Sequence, residues 1–206
     1  LGGQVLRRFG VVHSHVDPGF IRAARQAHSS GTRWVHTYHT LYFPETPTGS
    51  VSGWKAEVNK ALLEGARHAD TRVSVSPWLQ ALLREAHGID TICIPNGVDI
   101  QQCDVASGDR FTGRSGLSDF VVYVGSLNPV KDPGFFIQLA RACPELKFVM
   151  IGNKLSAQDI ETELLSRLPS NLFAIGPMSH EATLDAIAAS IALVMPSHTE
   201  GFPTAS

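Results

Sequence analysis

The sequence is poor in the features that mark secreted, membrane-spanning or nucleic-acid-binding chains. It has three cysteines in 206 residues, Cys93, Cys103 and Cys143, and no Cys-x-x-Cys spacing, so we interpret them as the reduced thiols of a cytosolic protein. No apolar run approaches the roughly 20 residues that a membrane-spanning helix needs. The formal net charge is only -2, which gives no argument for nucleic acid or an acidic membrane as a partner.

Short apolar or β-branched runs alternate along the chain with amphipathic stretches, the order typical of an α/β protein. Asp17-Pro18 and Asp132-Pro133 each open a helical stretch, because Asp suits the N-cap and Pro the first helical position. Strict alternation predicts parallel sheets covered on both faces, so we expect two doubly wound domains. The predicted strands are 11–15, 33–37, 71–75, 91–94, 120–124, 147–151, 172–175 and 191–194.

A polar, Gly-containing stretch with few large apolar residues interrupts this alternation in the middle of the chain. We interpret residues 99–118 as a linker between part of an N-terminal domain, residues 1–98, and part of a C-terminal domain, residues 119–206. The chain also lacks an initiator Met and begins on what reads as the end of a helix. We therefore expect a fragment in which both domains are incomplete.

Polar and glycine residues collect at the carboxyl ends of the predicted strands, the edge at which open α/β sheets bind ligands. Each position alone is weak, since short strand-to-helix loops commonly contain Gly and Asn. Their joint placement predicts a ligand held between two sheets that face one another. The positions are His13, His15, His36, His39, Asn96, Gly97, Gly125 to Lys131, Gly152, Asn153, Gly176 and His198 to Glu200.

The loop from Gly125 to Pro133 leads into a predicted helix N-terminus, whose free amides and dipole favour an anion. Lys131 stands just before the cap and adds a full positive charge. A phosphate or diphosphate site is one interpretation, and a solvated lysine beside a helix start is the other. The loop is not a Walker loop, because no Gly-Lys-Ser/Thr follows.

The paired histidines raise the alternative of a metal site. His13 and His15 lie on one face of a strand, and His36 and His39 follow the next one. No cysteine or acidic partner stands at a recognisable metal-ligand spacing, which favours structural or loop histidines over ligands. A serine hydrolase is weaker still, because no Gly-x-Ser-x-Gly elbow occurs.

Taken together, the motifs resemble those of the retaining GT-B glycosyltransferases of family 4 (glycosyl transferases group 1). The resemblance covers essentially the whole chain, and it is the ordered set of motifs that makes it specific. The stretches that carry it are Val12 to His15, Tyr38 to Thr40, Ala69-Asp70 leading into Val73 to Ser76, Ile94 to Asp99, Val122 to Ser126 with Lys131, and Pro196-Ser197-x-x-Glu200-Gly201-Phe202.

The resemblance implies two Rossmann-like domains facing a cleft, with a nucleotide-sugar donor bound mainly by the C-terminal one. Three residues would carry the chemistry: Lys131 neutralises the donor diphosphate, Glu200 contacts donor sugar hydroxyls, and His39 faces the reacting sugar. The acceptor would enter between the domains, near His15, His39 and the loop 42–53, with Asn96 also on the acceptor side. The further donor-binding residues implied are Gly125, Ser126, Asn153, Gly176, Met178, Gly201, Phe202, Pro203 and Thr204.

Two positions depart from the family pattern. The family usually has Arg where this chain has Ser126, so one of two cations at the diphosphate is absent. The family's second glutamate belongs eight positions after Glu200, whereas the given chain ends at Ser206. The first departure bears on leaving-group stabilisation, a principal electrostatic contribution to such a reaction.

The sequence therefore predicts a retaining transferase that moves a hexosyl unit from a nucleoside-diphosphate sugar to an acceptor hydroxyl of a glycan, lipid or small molecule. We expect no cofactor, no metal and no nucleic acid partner. We also expect a cytoplasmic location, at the inner face of the membrane if the acceptor is a lipid, and an inactive fragment. The alternatives are a nucleotide-sugar epimerase of the same fold and a non-catalytic nucleotide-sugar-binding protein.

Overall fold

The chain forms two α/β units, each built on a four-stranded parallel sheet. The structure, a computed structural model, describes residues 2–44, 49–152, 168–198 and 200. Within these residues the first unit takes 2–97 together with Glu200, and the second takes 98–198. The predicted α/β class with parallel sheets is confirmed.

The first unit has the sheet order β1-β2-β3-β4, with every neighbouring pair parallel. Helix α3 runs on through a π-helical turn, Ala61–Gly65, and a 3-10 turn, Ala66–His68, before β3 begins. The strands and helices are α1 Gly2–Leu6, β1 Val11–Ser14, α2 Pro18–His28, β2 Arg33–Tyr38, α3 Gly53–Lys60, β3 Thr71–Ser74, α4 Pro77–His87 and β4 Ile92–Cys93.

The described helices of this unit share one face of the sheet. Each connection steps to the next strand in the same direction, and right-handed crossovers of that kind place successive helices on the same side. A single apolar core results, between the strands and α2, α3 with its continuing turns, and α4. Its fully buried members include Trp34, Tyr38, Ile21, Leu62, Leu79 and Leu83.

The second unit has the sheet order β7-β6-β5-β8, again all parallel. The helix predicted over about 157–168 lies, except for its last residue, outside the described residues. The strands and helices are α5 Ile100–Asp104, α6 Gly108–Ser115, β5 Phe120–Val124, a 3-10 turn Pro129–Lys131, α7 Pro133–Ala142, β6 Lys147–Ile151, β7 Leu172–Gly176, α8 His180–Ala188 and β8 Ser190–Leu193.

Both faces of this second sheet are packed, as the predicted double winding requires. Helix α7 covers one face, where Phe136 packs on Tyr123 and Phe148. Helices α6 and α8 cover the other, with Phe111 and Ala186 buried against the strands. The strand order reverses between β5 and β8, and ligands of doubly wound sheets bind outside the carboxyl ends of the strands at such a switch point.

The stretch 99–118, predicted as a linker, contains α5 and α6 and packs on the second unit. Phe111 is buried there against the sheet. Asp185 of α8 accepts hydrogen bonds from the backbone N–H of Ser107 and from the side chain of Arg110. A stretch with one large apolar anchor has too weak a periodicity to be recognised as a helix pair.

Both helices predicted from Asp-Pro pairs begin where expected. The carboxylate of Asp17 accepts from the N–H of Phe20, and that of Asp132 accepts from the N–H of Phe135 at 3.0 Å. No helix in the described part of the chain is long and apolar enough to cross a membrane.

Candidate functional site

Three imidazoles meet at the carboxyl ends of β1 and β2. His15 directly follows β1 and His39 directly follows the neighbouring parallel strand β2. Nδ1 of His15 lies 2.9 Å from Nε2 of His39, and the His13 ring lies 4.4 Å from the His15 ring between centroids. The structure thus brings together two residues that the sequence placed only at the same edge.

A buried, hydrogen-bonded group of side chains on the same two strands lies beside these rings. Ser14 lies at its centre, because its Oγ accepts from Nε1 of Trp34 at 2.8 Å and lies 2.8 Å from Nδ1 of His36. His36 is fully buried, and its Nε2 has no hydrogen-bond partner in the described structure. Burial, with smaller repulsion from His15, His13 and His39, lowers the pKa of His36 to about 3.

Two imidazoles of the cluster, His39 and His13, also have lowered pKa values. Burial lowers the pKa of His39, and repulsion from His15 and His13 adds to this. The pKa of His13 is lowered by burial and by His15. Within the described residues, no group of three or more His, Cys, Asp or Glu side chains is arranged to hold a metal ion. Metal independence stays an expectation.

An ordered aromatic segment follows β2 on the same edge. Leu41 is buried in the core. The amide side chain of Asn59, on α3, accepts from the backbone N–H of Tyr42 at 2.9 Å and donates to its carbonyl at 2.7 Å. Tyr42 then packs edge-on against Trp54, and Phe43 packs against Trp78. Asn59 and Trp54 carry no recognisable motif, so the sequence did not predict their part in this segment.

Three glycines stand in a row at the carboxyl ends of β5, β6 and β7 in the second unit. The N–H of Gly125 donates to the carbonyl of Ile151, and that of Gly152 donates to the carbonyl of Gly176. The carbonyl oxygen of Gly125 occupies the space that a Cβ at position 152 would need. Only glycine therefore fits at position 152, and the row leaves an edge without side chains.

The loop after β5 brings Lys131 to the N-terminus of α7, beside the switch point. Asn128 fixes this turn, because its Oδ1 accepts from the N–H of Lys131 at 3.1 Å. Asp132 then caps α7 from a left-handed backbone conformation, φ 42°, which is rare for a residue with a side chain. The hydroxyl of Tyr123 donates to the carbonyl of Ser126 at 3.0 Å and braces the start of the loop.

His198 joins the loop after β8 to this loop across the switch point. Its backbone N–H donates to the carbonyl of Val130 at 2.9 Å, and its Nε2 lies 3.4 Å from Oδ2 of Asp132. The sequence marked His198 only as one of the polar residues at strand ends. A contact between loops 68 residues apart has no signal in local patterns.

Comparison with known proteins decides the family. Residues 3–102 match the model described as Glycosyltransferase Family 4, and residues 109–206 match the model described as Glycosyl transferases group 1. This chain belongs to glycosyltransferase family 4. A comparison with proteins of curated function gives no match.

Solved structures share the fold of the family 4 chain at low identity. Sucrose-phosphate synthase from Thermosynechococcus elongatus has a TM-score of 0.75 at 20% identity, over 95% of this chain and 52% of that one. The catalytic domain of starch synthase IV from Arabidopsis thaliana, bound to ADP and acarbose, gives 0.68 at 16%, over 95% and 53%. UDP-GlcNAc 2-epimerase from Neisseria meningitidis, bound to UDP-GlcNAc, gives 0.58 at 14%, over 95% and 57%. The chain spans about half the length of the structures it matches.

The predicted site residues of the family 4 chain distribute between its two units. His15, His39 and Asn96 lie at the carboxyl edge of the first sheet, and Glu200 groups with that unit. Lys131, Gly125, Ser126 and Gly176 lie at the carboxyl edge of the second sheet. Met178 packs partly buried beside Phe111 on the α6–α8 face. Asn153, Gly201, Phe202, Pro203 and Thr204 lie outside the described residues.

Proposed function

We propose that the protein carrying this chain is a retaining glycosyltransferase that moves a hexosyl unit from a nucleoside-diphosphate sugar to an acceptor hydroxyl. The observation that supports it most is the position of Lys131 and the α7 N-terminus at the β5–β8 switch point, within the segment that matches glycosyl transferases group 1. Family membership makes transferase chemistry the first expectation, and Lys131 beside a helix N-terminus is the feature of this edge that favours a diphosphate.

The donor diphosphate lies against the α7 N-terminus, with the ammonium group of Lys131 balancing its charge. Free backbone amides and the helix dipole act together on such an anion. The glycine row at positions 125, 152 and 176 supports close approach of the nucleotide along the strand ends. Two structural neighbours are described as bound to ADP and to UDP-GlcNAc respectively, which supports a nucleotide donor without deciding its base.

The reaction begins with breakage of the bond between the sugar C1 and the diphosphate oxygen, through an oxocarbenium-like state. The electron pair leaves with the diphosphate, whose growing charge Lys131 and the α7 amides stabilise. The acceptor hydroxyl then bonds to C1 on the face that the diphosphate left. A departing phosphate oxygen takes the hydroxyl proton, so charge and atoms balance and configuration is retained.

The remaining roles follow from the family resemblance. By that resemblance, Glu200 contacts donor sugar hydroxyls and His39 lies by the reacting sugar. Ser126 leaves the diphosphate with one lysine where the family usually adds an arginine, so we expect a weaker donor affinity than a two-cation site gives. A cytoplasmic location is supported by three free cysteines, with the inner membrane face as the place of action if the acceptor is a lipid.

The test is product analysis with the full-length protein. UDP-, GDP- and ADP-glucose are each supplied with and without a panel of hydroxyl acceptors, and NMR reads the anomeric configuration of any product. An α-linked product from an α-linked donor supports the proposal, and a β-linked product contradicts retention.

An epimerase is the second candidate, because the fold matches UDP-GlcNAc 2-epimerase. It changes the sugar in the absence of any acceptor, so a further arm with UDP-GlcNAc and no acceptor separates the two. Nucleotide binding without turnover in either arm would indicate a non-catalytic binding protein.

A further inference from the structure

The donor loop, residues 125–133, carries two formal charges that cancel. One is the cation Lys131 and the other is the carboxylate of Asp132. Because Oδ1 of Asp132 accepts from the N–H of Phe135 at 3.0 Å, this carboxylate sits at the N-terminus of α7, where the diphosphate is proposed to bind. Like charges repel as strongly as opposite charges attract at the same distance. The donor loop by itself therefore attracts a diphosphate less than Lys131 alone would.

His198 contacts the carboxylate of Asp132 from the other side of the switch point. Its Nε2 lies 3.4 Å from Oδ2 of Asp132, and its backbone N–H donates to the carbonyl of Val130 at 2.9 Å. These two contacts flank Lys131 in the chain, so they fix His198 to the donor loop. The side chain of His198 is 68% exposed, which leaves its ring open to proton exchange with solvent.

Protonation of His198 changes the combined charge of His198, Lys131 and Asp132 from zero to +1. A carboxylate oxygen only accepts, so the approach to Asp132 is favourable when Nε2 carries a proton, and the second proton then enters at Nδ1. Imidazole is the side-chain base that titrates between pH 5 and 8. A protonated His198 balances Asp132, and the charge of Lys131 then acts on the bound anion without opposition.

Few other charged groups lie on the elements around His198. Helix α7 has a single charged residue, Arg141, in its last turn and far from its N-terminus. On the segment that carries His198, the next titratable residue in the described structure is Glu200, which groups with the first unit. Among the described residues that titrate near neutral pH, His198 is thus the one recorded in contact with the donor loop.

We propose that binding of the donor diphosphate is linked to protonation of His198, which acts through Asp132 as a positioning residue of the donor site. This inference rests on the proposed transferase function and adds the pH regulation of its donor site. The diphosphate favours the charged imidazole, so the complex takes up as much as one proton from solvent. By linkage, donor affinity rises as pH falls through the range of imidazole and is lowest where His198 is neutral.

The experiment is calorimetric titration of the full-length protein with UDP-, GDP- and ADP-glucose between about pH 6 and about pH 8.5. Nucleotide sugars are the suitable probes because both phosphates are substituted and keep their charge, whereas a terminal phosphate titrates near about pH 6. For a donor that binds, affinity should be about three- to fivefold higher at the acid end, the scale of one partly exposed charge. Titrations in buffers of different ionisation enthalpy should show proton uptake on binding.

Two variants separate the charge of His198 from its structural contacts. His198→Gln keeps an N–H for Asp132 but cannot gain a charge, so its affinity should stay at the alkaline value of the unaltered protein at every pH. His87→Gln, in the last turn of α4 of the first unit, is the matched control and should keep the full pH dependence.

Asp132→Asn should raise donor affinity at the alkaline end by a similar factor, because it removes the repelling charge. Asparagine still caps a helix, and it tolerates the left-handed backbone of position 132, φ 42°. A gain in affinity is not a result of misfolding. Hydrogen exchange at the amide of Phe135 checks that the cap of α7 is intact.

Three results would overturn the inference. They are equal donor affinity at both ends of the pH range, a His198→Gln protein that keeps the pH dependence, and an Asp132→Asn protein with an intact cap and no gain in affinity. Absence of donor binding at every pH overturns the proposed function, and the inference with it. Donor binding without pH dependence overturns the inference alone.

Discussion

Asp185 and Arg110 form a bidentate ion pair, with Oδ1 of the carboxylate 2.6 Å from Nη2 and Oδ2 2.9 Å from Nε of the guanidinium. The Asp185 side chain is 1% exposed. The same carboxylate accepts from the N–H of Ser107 at 2.8 Å. One side chain of α8 thus fixes α6 and the start of the second unit, so this pair determines how residues 99–118 attach to the sheet.

Asp185→Asn should destabilise the second unit, because it removes the charge that a bidentate guanidinium requires and leaves Arg110 facing a buried amide. All three tryptophans lie in the first unit, so fluorescence does not report this change. Hydrogen exchange at the amides of β5 and β8 should accelerate, while exchange in β2 stays constant. Asp104→Asn, at an exposed position of α5, is the matched control.

The same pair predicts an acid dependence. The hydrogen bonds from Arg110, then the one from Ser107, hold the pKa of Asp185 below its ordinary value of 3.8. A folded-state pKa below the unfolded one gives a contribution that is complete above about pH 3.8 and lost as pH falls through the lowered pKa. The protection of the β5 amides, taken relative to their intrinsic exchange rate at each pH, should therefore fall in that acid range, and Asp185→Asn should lack this step. An equal step in both proteins would contradict the assignment.

Lys131→Ala should weaken nucleoside-diphosphate binding, because it removes the charged side chain at the α7 N-terminus. A charge-assisted contact contributes about 1.5–3 kcal/mol, which corresponds to about ten- to a hundredfold in affinity. Calorimetric titration of the full-length protein with UDP, GDP and ADP measures it. Lys147→Ala is the matched control, because Lys147 is the first residue of β6 and so lies at the amino ends of the strands, away from the carboxyl ends where Lys131 lies. Unchanged affinity for every nucleotide would place the diphosphate elsewhere.

The sequence predicted the strands of the second unit well because parallel strands buried on both faces read as continuous apolar runs. Phe120–Val124 and Lys147–Ile151 have the predicted limits. Asp132 was recognised as a cap because Asp-Pro has a local mechanism. These successes share a cause, since each signal is contained within a few consecutive residues.

The contacts that shape the site could not be predicted in the same way. Asp185 reaches Ser107 across 78 positions, and His198 reaches Val130 across 68. Asn59 holds Tyr42 through an amide that any exposed helix position would tolerate. Side chains that fix loops act through tertiary geometry, which hydrophobic periodicity does not encode. The joint role of Lys131 and Glu200 stays a prediction, since Glu200 groups with the first unit.

The stability of the first unit should fall as pH drops below 6.5. His36 has a folded-state pKa of about 3 against an ordinary value of 6.5, because protonation would place a charge in a buried site where Nε2 has no partner in the described structure. The unfolded chain then binds the proton first, so stability is complete above pH 6.5 and declines toward pH 3, by at most about 1.4 kcal/mol per pH unit.

Urea unfolding followed by tryptophan fluorescence measures this slope, because Trp34 lies in the same buried group of side chains. His36→Gln should flatten the slope between pH 6.5 and pH 4, whatever its stability at neutral pH. Residual slope from His13 and His39, whose pKa values are also lowered, is expected. His87→Gln, in the last turn of α4 and outside this group, is the control. A His36→Gln protein with the full slope would assign the acid sensitivity to other groups.

Asn59→Leu should release the aromatic segment after β2 without unfolding the first unit. The variant removes both hydrogen bonds to Tyr42, each with a net contribution of about 0.5–1.5 kcal/mol, while Leu41 stays anchored in the core. Hydrogen exchange at the Tyr42 amide should accelerate by about tenfold or more, because its acceptor is lost. Asn59→Asp is the informative partner, since its carboxylate still accepts from the Tyr42 N–H but no longer donates to the carbonyl.

Gln80→Ala is the matched control. Like Asn59, Gln80 is a helix residue whose side-chain amide hydrogen-bonds to backbone, but it lies on α4 and donates to the carbonyl of Thr91 rather than to Tyr42. It should leave exchange at Tyr42 unchanged. If the segment positions Trp54, as its edge-on contact with Tyr42 indicates, then Asn59→Leu should also broaden the Trp54 indole resonance while those of Trp34 and Trp78 stay sharp. Broadening of all three would instead indicate loosening of the whole unit, and the Asn59–Tyr42 contact would then be a core contact rather than a local anchor.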